Sequence, residues 1–358
     1  MNLTGIRLRY QVTRDENKAW YKRLHVVNKL AEWVFINLDM SKREAIESDA
    51  RRKAKAYQYV YEHFAVGKLF HPVEHRDPLF TYGVVEDESM INMLKPGQYP
   101  EFQVQYRILL REFEGFVPDD GTRPVTMQDV DTNLDSAAKA KISLFREQLK
   151  RDYKGLSRAW YDDQLIGLII RYNCIGGFSD NLHASVSNTW SEELPDFVEC
   201  FASPFNHKFE TYFSVFEKDK LFGSQGSFFV MIHEQGGILP SGKYEINPPW
   251  NNQMYDEMVT ILDRSMPTND IQAIIVGPNW EDATWCNQGF NNLIQSCHEY
   301  TENSFKNVNV IGYVNDATSR PLYLKTAYWV ISKAPMNESV LSKLSLFNPK
   351  KRQDAIHD

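Results

Sequence analysis

From residue 198 onward, short apolar runs alternate with stretches of helical spacing, and this alternation restricts the fold more than any other feature. Ile271 to Val276 is a continuous apolar run, as expected for a strand buried on both faces. Val198–Asn206 is predicted to be a buried strand that runs into a turn. Further strands are predicted at Tyr244–Ile246, Val308–Gly312 and Tyr323–Ser332, and helices at His207–Leu221, from Met254 to Leu262 and around Asn287–Tyr300. The pattern predicts an open α/β sheet, which binds ligands at the carboxyl ends of its strands.

The first half of the chain has helical spacing instead. Between Lys18 and Leu38 the apolar positions Trp20, Leu24, Val27, Leu30 and Val34 predict one helix face. Other predictions are a short strand at Leu3–Arg14 and helices at Arg43–Phe64, Glu101–Phe113, Val125–Tyr153 and Leu156–Tyr172. We therefore predict a helical, partly basic domain over 1–175, an α/β domain over 176–340 and a polar tail over 341–358.

Composition excludes several classes of protein. The chain has no apolar run of membrane-spanning length and no signal-peptide pattern, so we expect an intracellular protein, nuclear or cytoplasmic. The four cysteines have no C-x-x-C spacing, which predicts reduced thiols and neither a zinc site nor a disulfide framework.

Charge is unevenly distributed along the chain. Residues 1–70 carry 14 Lys/Arg and 8 Asp/Glu, whereas the remainder carries 26 and 39. A basic segment on an acidic body is typical of an enzyme that holds RNA phosphates locally. Arg51, Arg52 and Lys53 are the candidate phosphate contacts, although a solvated helix face explains any single one of these charges equally well.

Asn247-Pro248-Pro249-Trp250 follows a predicted strand and is the candidate catalytic loop. The amino nitrogen of adenine is a poor nucleophile, and two acceptors aimed at its N–H bonds would free its lone pair. The Asn247 side-chain oxygen and the Pro248 carbonyl are such acceptors, held extended by the prolines that follow them. Trp250 offers a face on which a base can stack. The alternative is a rigid turn after a buried strand.

A methyl acceptor of this kind needs a donor, and we expect S-adenosyl-L-methionine. No G-x-G-x-x-G motif is present; instead, the segment Glu199–Pro204 has the small residues Ala202 and Ser203 at its bend. Glu199 could hold the amino group or a ribose hydroxyl of the donor, or could serve only as a cap or salt-bridge partner. The candidate loops Phe201–Asn206, Asn247–Trp250 and Pro278–Trp280 all follow strands, so we expect them on one edge of the sheet.

The sequence resembles the phosphorylated-CTD-interacting factor family over roughly residues 195–335. The match is carried by Glu199–Asn206, Phe222-Gly223-Ser224 and Asn247–Trp250, with weaker agreement at Pro278-Asn279-Trp280 and Lys325-Thr326-Ala327. The resemblance implies a Rossmann-like class I methyltransferase domain that acts on N6 of the 2′-O-methyladenosine beside the mRNA cap. It implies a donor pocket lined by Glu199, Cys200, Phe201, Ala202, Ser203, Pro204, Asn206, Phe222, Gly223 and Ser224, and a capped RNA partner that Trp280 is a candidate to contact.

The chain departs from the family pattern at several points. Trp250 replaces the Phe of the animal proteins, and Gln225 stands where Arg is expected. No pair of tryptophans has WW spacing with a following proline, so we expect neither a WW domain nor docking through one to the polymerase tail.

Two alternatives stay open: a DNA adenine N6-methyltransferase, and a catalytically silent RNA-binding or scaffold protein. The oligomeric state also stays open.

Overall fold

The structure is a computed structural model. It describes residues 16–18, 20–39, 94–114, 124–131, 136–175, 194–248, 252–278, 283–290, 308–313 and 321–332, with the single positions 53, 56, 60, 134, 191 and 293. The chain forms two compact units, Met1–Phe178 and Ser179–Asp358. The predicted strand at 3–14, most of the predicted helix at 43–64 and the predicted tail lie outside the described residues.

The described part of the first unit is helical. Its helices are α1 (Asn28–Asn37), α2 (Tyr99–Glu114), α3 (Met127–Asp131), α4 (Ser136–Asp152) and α5 (Arg158–Ile175), and the π-helical segment Arg23–Val27 leads into α1. A buried ion pair joins Arg171 of α5 to Glu16 at 3.2 Å, and Asn17 accepts a hydrogen bond from the Val125 backbone N–H at 2.9 Å. These contacts fasten the segment that precedes α1 to later parts of the same unit.

The π-helical segment changes which residues of the first helix are buried. A π turn contains one more residue than an α turn, so the faces of the helix shift by one position. As a result Val26 is buried, whereas Leu24 is 39% exposed. The predicted burial of Leu24 is therefore wrong, although Trp20, Leu30 and Val34 are buried as predicted.

The predicted helix Val125–Tyr153 is two helices, α3 and α4. At the start of α3, the Thr126 backbone N–H and hydroxyl both donate to the Asp129 carboxylate, at 2.8 and 2.7 Å. Such a side-chain cap satisfies N–H groups that have no partner within the helix. The chain then leaves the helix after Asp131 and begins the next at Ser136.

The second unit contains one mixed sheet. Its strands are β1 (Val198–Glu199), β2 (Thr211–Tyr212), β3 (Gly242–Ile246), β4 (Ile271–Pro278), β5 (Val308–Tyr313) and β6 (Pro321–Ser332). The spatial order is β2-β1-β3-β4-β6-β5. The pairs β1–β2, β1–β3 and β3–β4 are parallel, and β6 runs antiparallel to β4 and β5. The fold is therefore mixed α/β with a mainly parallel sheet.

The helix predicted at His207–Leu221 is wrong. This stretch contains β2 and a 3₁₀ helix, Glu217–Phe222. Phe209, Tyr212, Phe213 and Phe216 have helical spacing, but Ser214 and Val215 between them are buried as well, so burial is not confined to one helix face. Backbone pairing of β2 with β1 and burial on both sides of the chain override the local periodicity.

Two helices of the second unit flank β3 in sequence: α6 (Phe228–Glu234) and α7 (Asn252–Ser265). Ser227 caps α6 by accepting a hydrogen bond from the Val230 N–H at 3.4 Å. The predicted apolar face of α7 is confirmed, since Met254, Met258, Ile261 and Leu262 are all buried. Of the predicted helix at 287–300, the described part includes the end of a π-helical turn, Trp285–Gly289. No helix among the described residues is long and apolar enough to cross a membrane.

Candidate active site at the carboxyl edge of the sheet

The chain order of the strands reverses beside β1. From β1 the chain goes to β2 on one side, and β3 then pairs with the other side of β1. A reversal of this kind opens a crevice at the carboxyl ends of the two central strands, where open α/β sheets bind ligands. The loops after β1 and β3 are Phe201–Asn206 and the segment starting at Asn247, so the expectation that these loops share one edge is confirmed.

The loop after β1 is a tight, buried turn. The backbone N–H and the hydroxyl of Ser203 both donate to the Asn206 side-chain oxygen, at 2.7 and 2.8 Å, and the Asn206 N–H returns a bond to the Ser203 hydroxyl at 3.2 Å. Cys200, Phe201, Ala202 and Phe205 are buried around this turn. The two polar residues predicted to line a donor pocket therefore shape the turn, and their contact with a donor stays a prediction.

Glu199 is buried at the end of β1, and its carboxylate holds the next turn. Its Oε2 atom accepts hydrogen bonds from the backbone N–H groups of Lys208 and Phe209, at 2.7 and 3.1 Å. Glu199 thus stabilises a turn and does not cap a helix, because no helix begins at Lys208. The structure does not test whether Glu199 also contacts a ligand.

Phe222, Gly223 and Ser224 lie beside the end of β2. The Tyr212 hydroxyl donates to the Phe222 carbonyl at 2.9 Å, and the next residue, Gln225, donates its N–H to the Tyr212 carbonyl at 2.8 Å. Gly223 has φ of 95°, a conformation that glycine adopts without strain. The segment thus follows β2 at the carboxyl edge, next to the turn after β1.

The described part of the candidate catalytic loop is buried at the end of β3. Asn247 is 2% exposed, and Pro248 is also buried. Pro249 and Trp250 lie outside the described residues. Sequence reasoning missed Tyr255, whose hydroxyl lies 3.4 Å from the Pro248 carbonyl oxygen and 3.0 Å from that of Val276. Its position one helical turn into α7, after the Asn-Pro-Pro motif, was the available signal.

A second glutamate missed by sequence reasoning lies beside Glu199. Glu245 of β3 is in register with Glu199 of β1 and is 1% exposed. Burial raises the pKa of the Glu245 carboxyl well above its ordinary value, and the charge of Glu199 raises it further. Burial likewise raises the pKa of the neighbouring Cys200 thiol, which is therefore neutral and a weak nucleophile.

The candidate RNA contacts are mostly beyond the described residues. Arg51, Arg52 and Trp280 cannot be placed, whereas Lys53 is exposed with its ammonium 5.5 Å from the centre of the Phe35 ring. Among the described residues, no group of three or more His, Cys, Asp or Glu side chains could hold a metal ion.

The site therefore defines an α/β protein with its candidate loops at a switch point of a mainly parallel sheet. Comparison with known proteins identifies a family that part of the chain resembles. A family model described as "Phosphorylated CTD interacting factor 1 WW domain" matches residues 142–314, just under half of the chain. The matched range begins within α4 and runs past the end of β5. Over this range the chain is similar to the phosphorylated CTD interacting factor family.

Two curated proteins are similar over shorter stretches. A human protein named mRNA (2′-O-methyladenosine-N(6)-)-methyltransferase is 34% identical over 88 residues, which are 24% of this chain and 12% of the human protein. Its mouse counterpart, with the same name, is 33% identical over 110 residues, 30% of this chain and 15% of the mouse protein. The matched stretches thus span a small part of the length of these relatives.

The family match corrects one expectation. The description of the matching model names the WW domain, which contradicts the expectation that the chain lacks one. The expectation that the chain does not dock to the polymerase tail depended on the absence of a WW domain, and it therefore loses its basis.

Proposed function

We propose that this protein is an S-adenosylmethionine-dependent N6-methyltransferase of adenosine in RNA, acting on the 2′-O-methyladenosine next to the mRNA cap. The observation that carries the proposal is the placement of the Asn247-Pro248 segment directly after β3, at the switch point between β1 and β3. The names of the human and mouse relatives supply the substrate.

The sheet supports the class of enzyme. A parallel sheet with one antiparallel strand, β6, inserted between β4 and β5 is consistent with the class I methyltransferase fold. In that fold the donor and the target base meet above the carboxyl ends of the central strands, where the loops after β1 and β3 lie. The matched range covers both loops.

The proposed chemistry uses orientation and hydrogen bonding. Asn247 Oδ1 and the Pro248 carbonyl accept the two N–H bonds of the adenine amino group, so that its lone pair becomes available for attack. Trp250 stacks on the base. No strong general base is required, because placing the amino group correctly in a site closed to water supplies most of the rate enhancement.

The methyl donor fits the residues at this edge. S-adenosylmethionine supplies an activated methyl group and carries positive charge, and two buried glutamates, Glu199 and Glu245, lie in register on β1 and β3 just before the candidate loops. Glu199–Asn206 and Phe222–Ser224 are the proposed lining of the donor pocket. The compact Ser203–Asn206 turn has the small residues Ala202 and Ser203 at its start, where the backbone is proposed to approach the donor.

The decisive experiment measures transfer of labelled methyl groups to matched RNAs. The substrates are RNAs beginning with capped 2′-O-methyladenosine, with capped adenosine, with capped guanosine and with uncapped adenosine, together with an adenine-containing DNA. We expect label on the capped adenosine RNAs, recovered as N6-methylated nucleotide.

The other outcomes separate the parts of the proposal. Equal label on uncapped RNA would remove the cap from the proposal and keep the chemistry, and preferential label on DNA would replace the substrate. Donor binding without transfer to any substrate would contradict methyl transfer by this chain alone. Absence of donor binding in the folded protein would favour a silent scaffold.

A further inference from the structure

We infer that Glu245 is the carboxylate that binds a cationic centre of the methyl donor, either its ammonium or its sulfonium group. This inference rests on the proposed function and adds a donor-binding residue that the sequence motifs do not mark. It is carried by the burial of Glu245, by the absence of any described residue hydrogen-bonded to its carboxyl group, and by its place at the switch point.

Glu245 is unusual because its carboxyl group is buried and has no hydrogen-bond partner in the part of the chain that the structure describes. The residue is 1% exposed, and neither carboxyl oxygen has a hydrogen-bond partner among the described residues. Buried polar groups in folded proteins are nearly always hydrogen-bonded, and leaving a charged one unsatisfied is strongly unfavourable. A carboxyl group kept in this state calls for a ligand that completes its bonding.

The position of Glu245 indicates which ligand. It precedes Asn247 by two residues, and residues two apart on extended chain share one face. At a rise of about 3.3 Å per residue, Glu245 lies roughly 7 Å along the strand from the proposed catalytic asparagine. On the neighbouring strand it faces Glu199 in register, and the Cys200 N–H donates to its backbone carbonyl at 2.9 Å. The carboxyl group therefore belongs to the crevice between the two candidate loops.

The two glutamates of the crevice differ in what their side chains already do. Glu199 uses its Oε2 atom to accept two backbone N–H groups, whereas Glu245 accepts no hydrogen bond from the described residues. Two adjacent carboxyl groups repel each other when both are ionised, and a cation placed against them relieves that repulsion. Of the two glutamates, Glu245 is therefore the one whose carboxyl oxygens can still accept hydrogen bonds from a ligand.

Donor binding should then change the protonation of Glu245. The titratable groups described around it are Glu199 of β1, Cys200 after β1 and Tyr255 of α7. Burial first, and then Glu199, raise the pKa of the Glu245 carboxyl, which favours its neutral form before the donor binds. A cation stabilises the ionised form of Glu245. At a pH below the pKa of the free protein, donor binding therefore releases a proton from this carboxyl group. Donor affinity should accordingly rise with pH until the pKa is reached.

The test compares the binding of three ligands to the full-length protein and to Glu245→Gln by titration calorimetry. S-adenosylmethionine carries the ammonium and the sulfonium, S-adenosylhomocysteine only the ammonium, and methylthioadenosine neither. We expect Glu245→Gln to weaken S-adenosylmethionine by about tenfold to a hundredfold, the usual range for a lost hydrogen bond between charged groups. Methylthioadenosine should bind both proteins equally.

The three ligands also identify the cationic group. Weakening of both S-adenosylmethionine and S-adenosylhomocysteine assigns Glu245 to the ammonium, and weakening of S-adenosylmethionine alone assigns it to the sulfonium. Unchanged affinity for all three, or equal weakening of all three including methylthioadenosine, would overturn the inference. Failure of the wild-type protein to bind S-adenosylmethionine at all would instead refute the proposed function, and the inference with it.

A second readout is proton release on donor binding, which the wild-type protein shows whether or not a variant folds. Calorimetry in buffers of different ionisation enthalpy measures the protons released when S-adenosylmethionine binds. We expect net release in the pH range just below the raised pKa of Glu245, lost in Glu245→Gln and kept in Glu234→Gln, which replaces an exposed glutamate at the end of α6. Equal proton release by the wild-type protein and Glu245→Gln at every pH measured would show that donor binding does not change the protonation of Glu245, and would overturn that coupling.

Discussion

At the scale of single residues, the candidate chemistry depends on Asn247. This side chain stands at the end of β3, beside a proline that restricts its backbone to extended geometry. It is 2% exposed, so its orientation is set by its surroundings and not by solvent. A buried amide held in one orientation is the arrangement that hydrogen-bond catalysis requires.

Replacing Asn247 by Ala should therefore affect turnover far more than folding. Loss of one oriented acceptor lowers kcat by about 10²–10³-fold, while the Kd for the donor and the Tm change little. The measurement is single-turnover methyl transfer with capped adenosine RNA. Asn37→Ala, in the helical unit, is a matched control that should keep wild-type turnover. Near-wild-type turnover in Asn247→Ala would show that this residue is not catalytic.

At the scale of elements, α7 supports the candidate loop through Tyr255. The Tyr255 hydroxyl contacts the Pro248 and Val276 carbonyl oxygens, and its ring stacks on Trp285 with ring centres 4.2 Å apart. A Cβ atom at Gly277 would come within 2.8 Å of the Tyr255 ring, so the glycine leaves room for it. The helix thereby braces the carbonyl group proposed to accept an adenine N–H.

Tyr255→Phe should lower kcat by roughly twofold to tenfold, which corresponds to one neutral hydrogen bond of about 0.5–1.5 kcal/mol. The Kd for S-adenosylmethionine should not change, because the hydroxyl positions the loop and does not contact the donor. Both constants come from steady-state kinetics combined with direct binding measurements.

Tyr244→Phe provides the comparison. Its hydroxyl donates to the Pro240 carbonyl at 2.9 Å, ahead of β3 in the chain and away from the loop after it. If both variants lose the same activity, or if Tyr255→Phe weakens donor binding as strongly as it lowers kcat, the positioning role assigned to Tyr255 is wrong.

At the scale of the whole molecule, charge is divided between a basic beginning and an acidic remainder. Lys53 is the described member of the cluster Arg51-Arg52-Lys53, and it is exposed. Exposed cations that bind phosphate give RNA affinity a dependence on salt, because each contact releases a counterion. The first unit is thus the proposed RNA-holding part of the chain.

Reversing the three charges to Glu should weaken RNA binding and reduce the slope of log K against log salt by about two to three. Fluorescence anisotropy with a capped RNA at several salt concentrations measures both. The control is reversal of Lys139, Lys150 and Arg151 on α4, which makes the same change in net charge. An unchanged slope for the first variant, or equal effects of the two, would show that the cluster is only a solvated helix face.

The local spacing of apolar residues predicts much of the fold. The apolar run of β4 and the apolar face of α7 each reflect one burial environment, so they could be identified from the sequence without knowing their partners. The common edge of the Phe201–Asn206 and Asn247 loops also followed, because parallel strands end on the same side of a sheet. The roles of the individual site residues stay predictions.

What the tertiary structure alone decided is which distant segments meet. Pairing with β1 made Thr211–Tyr212 a strand within a stretch of helical spacing, and the π-helical turn exchanged Leu24 for Val26 in the core. Register between β1 and β3 placed Glu245 against Glu199, and the packing of α7 brought Tyr255 to Pro248. None of these contacts is encoded by local spacing, because each depends on the balance of burial and hydrogen bonding between residues far apart in the chain.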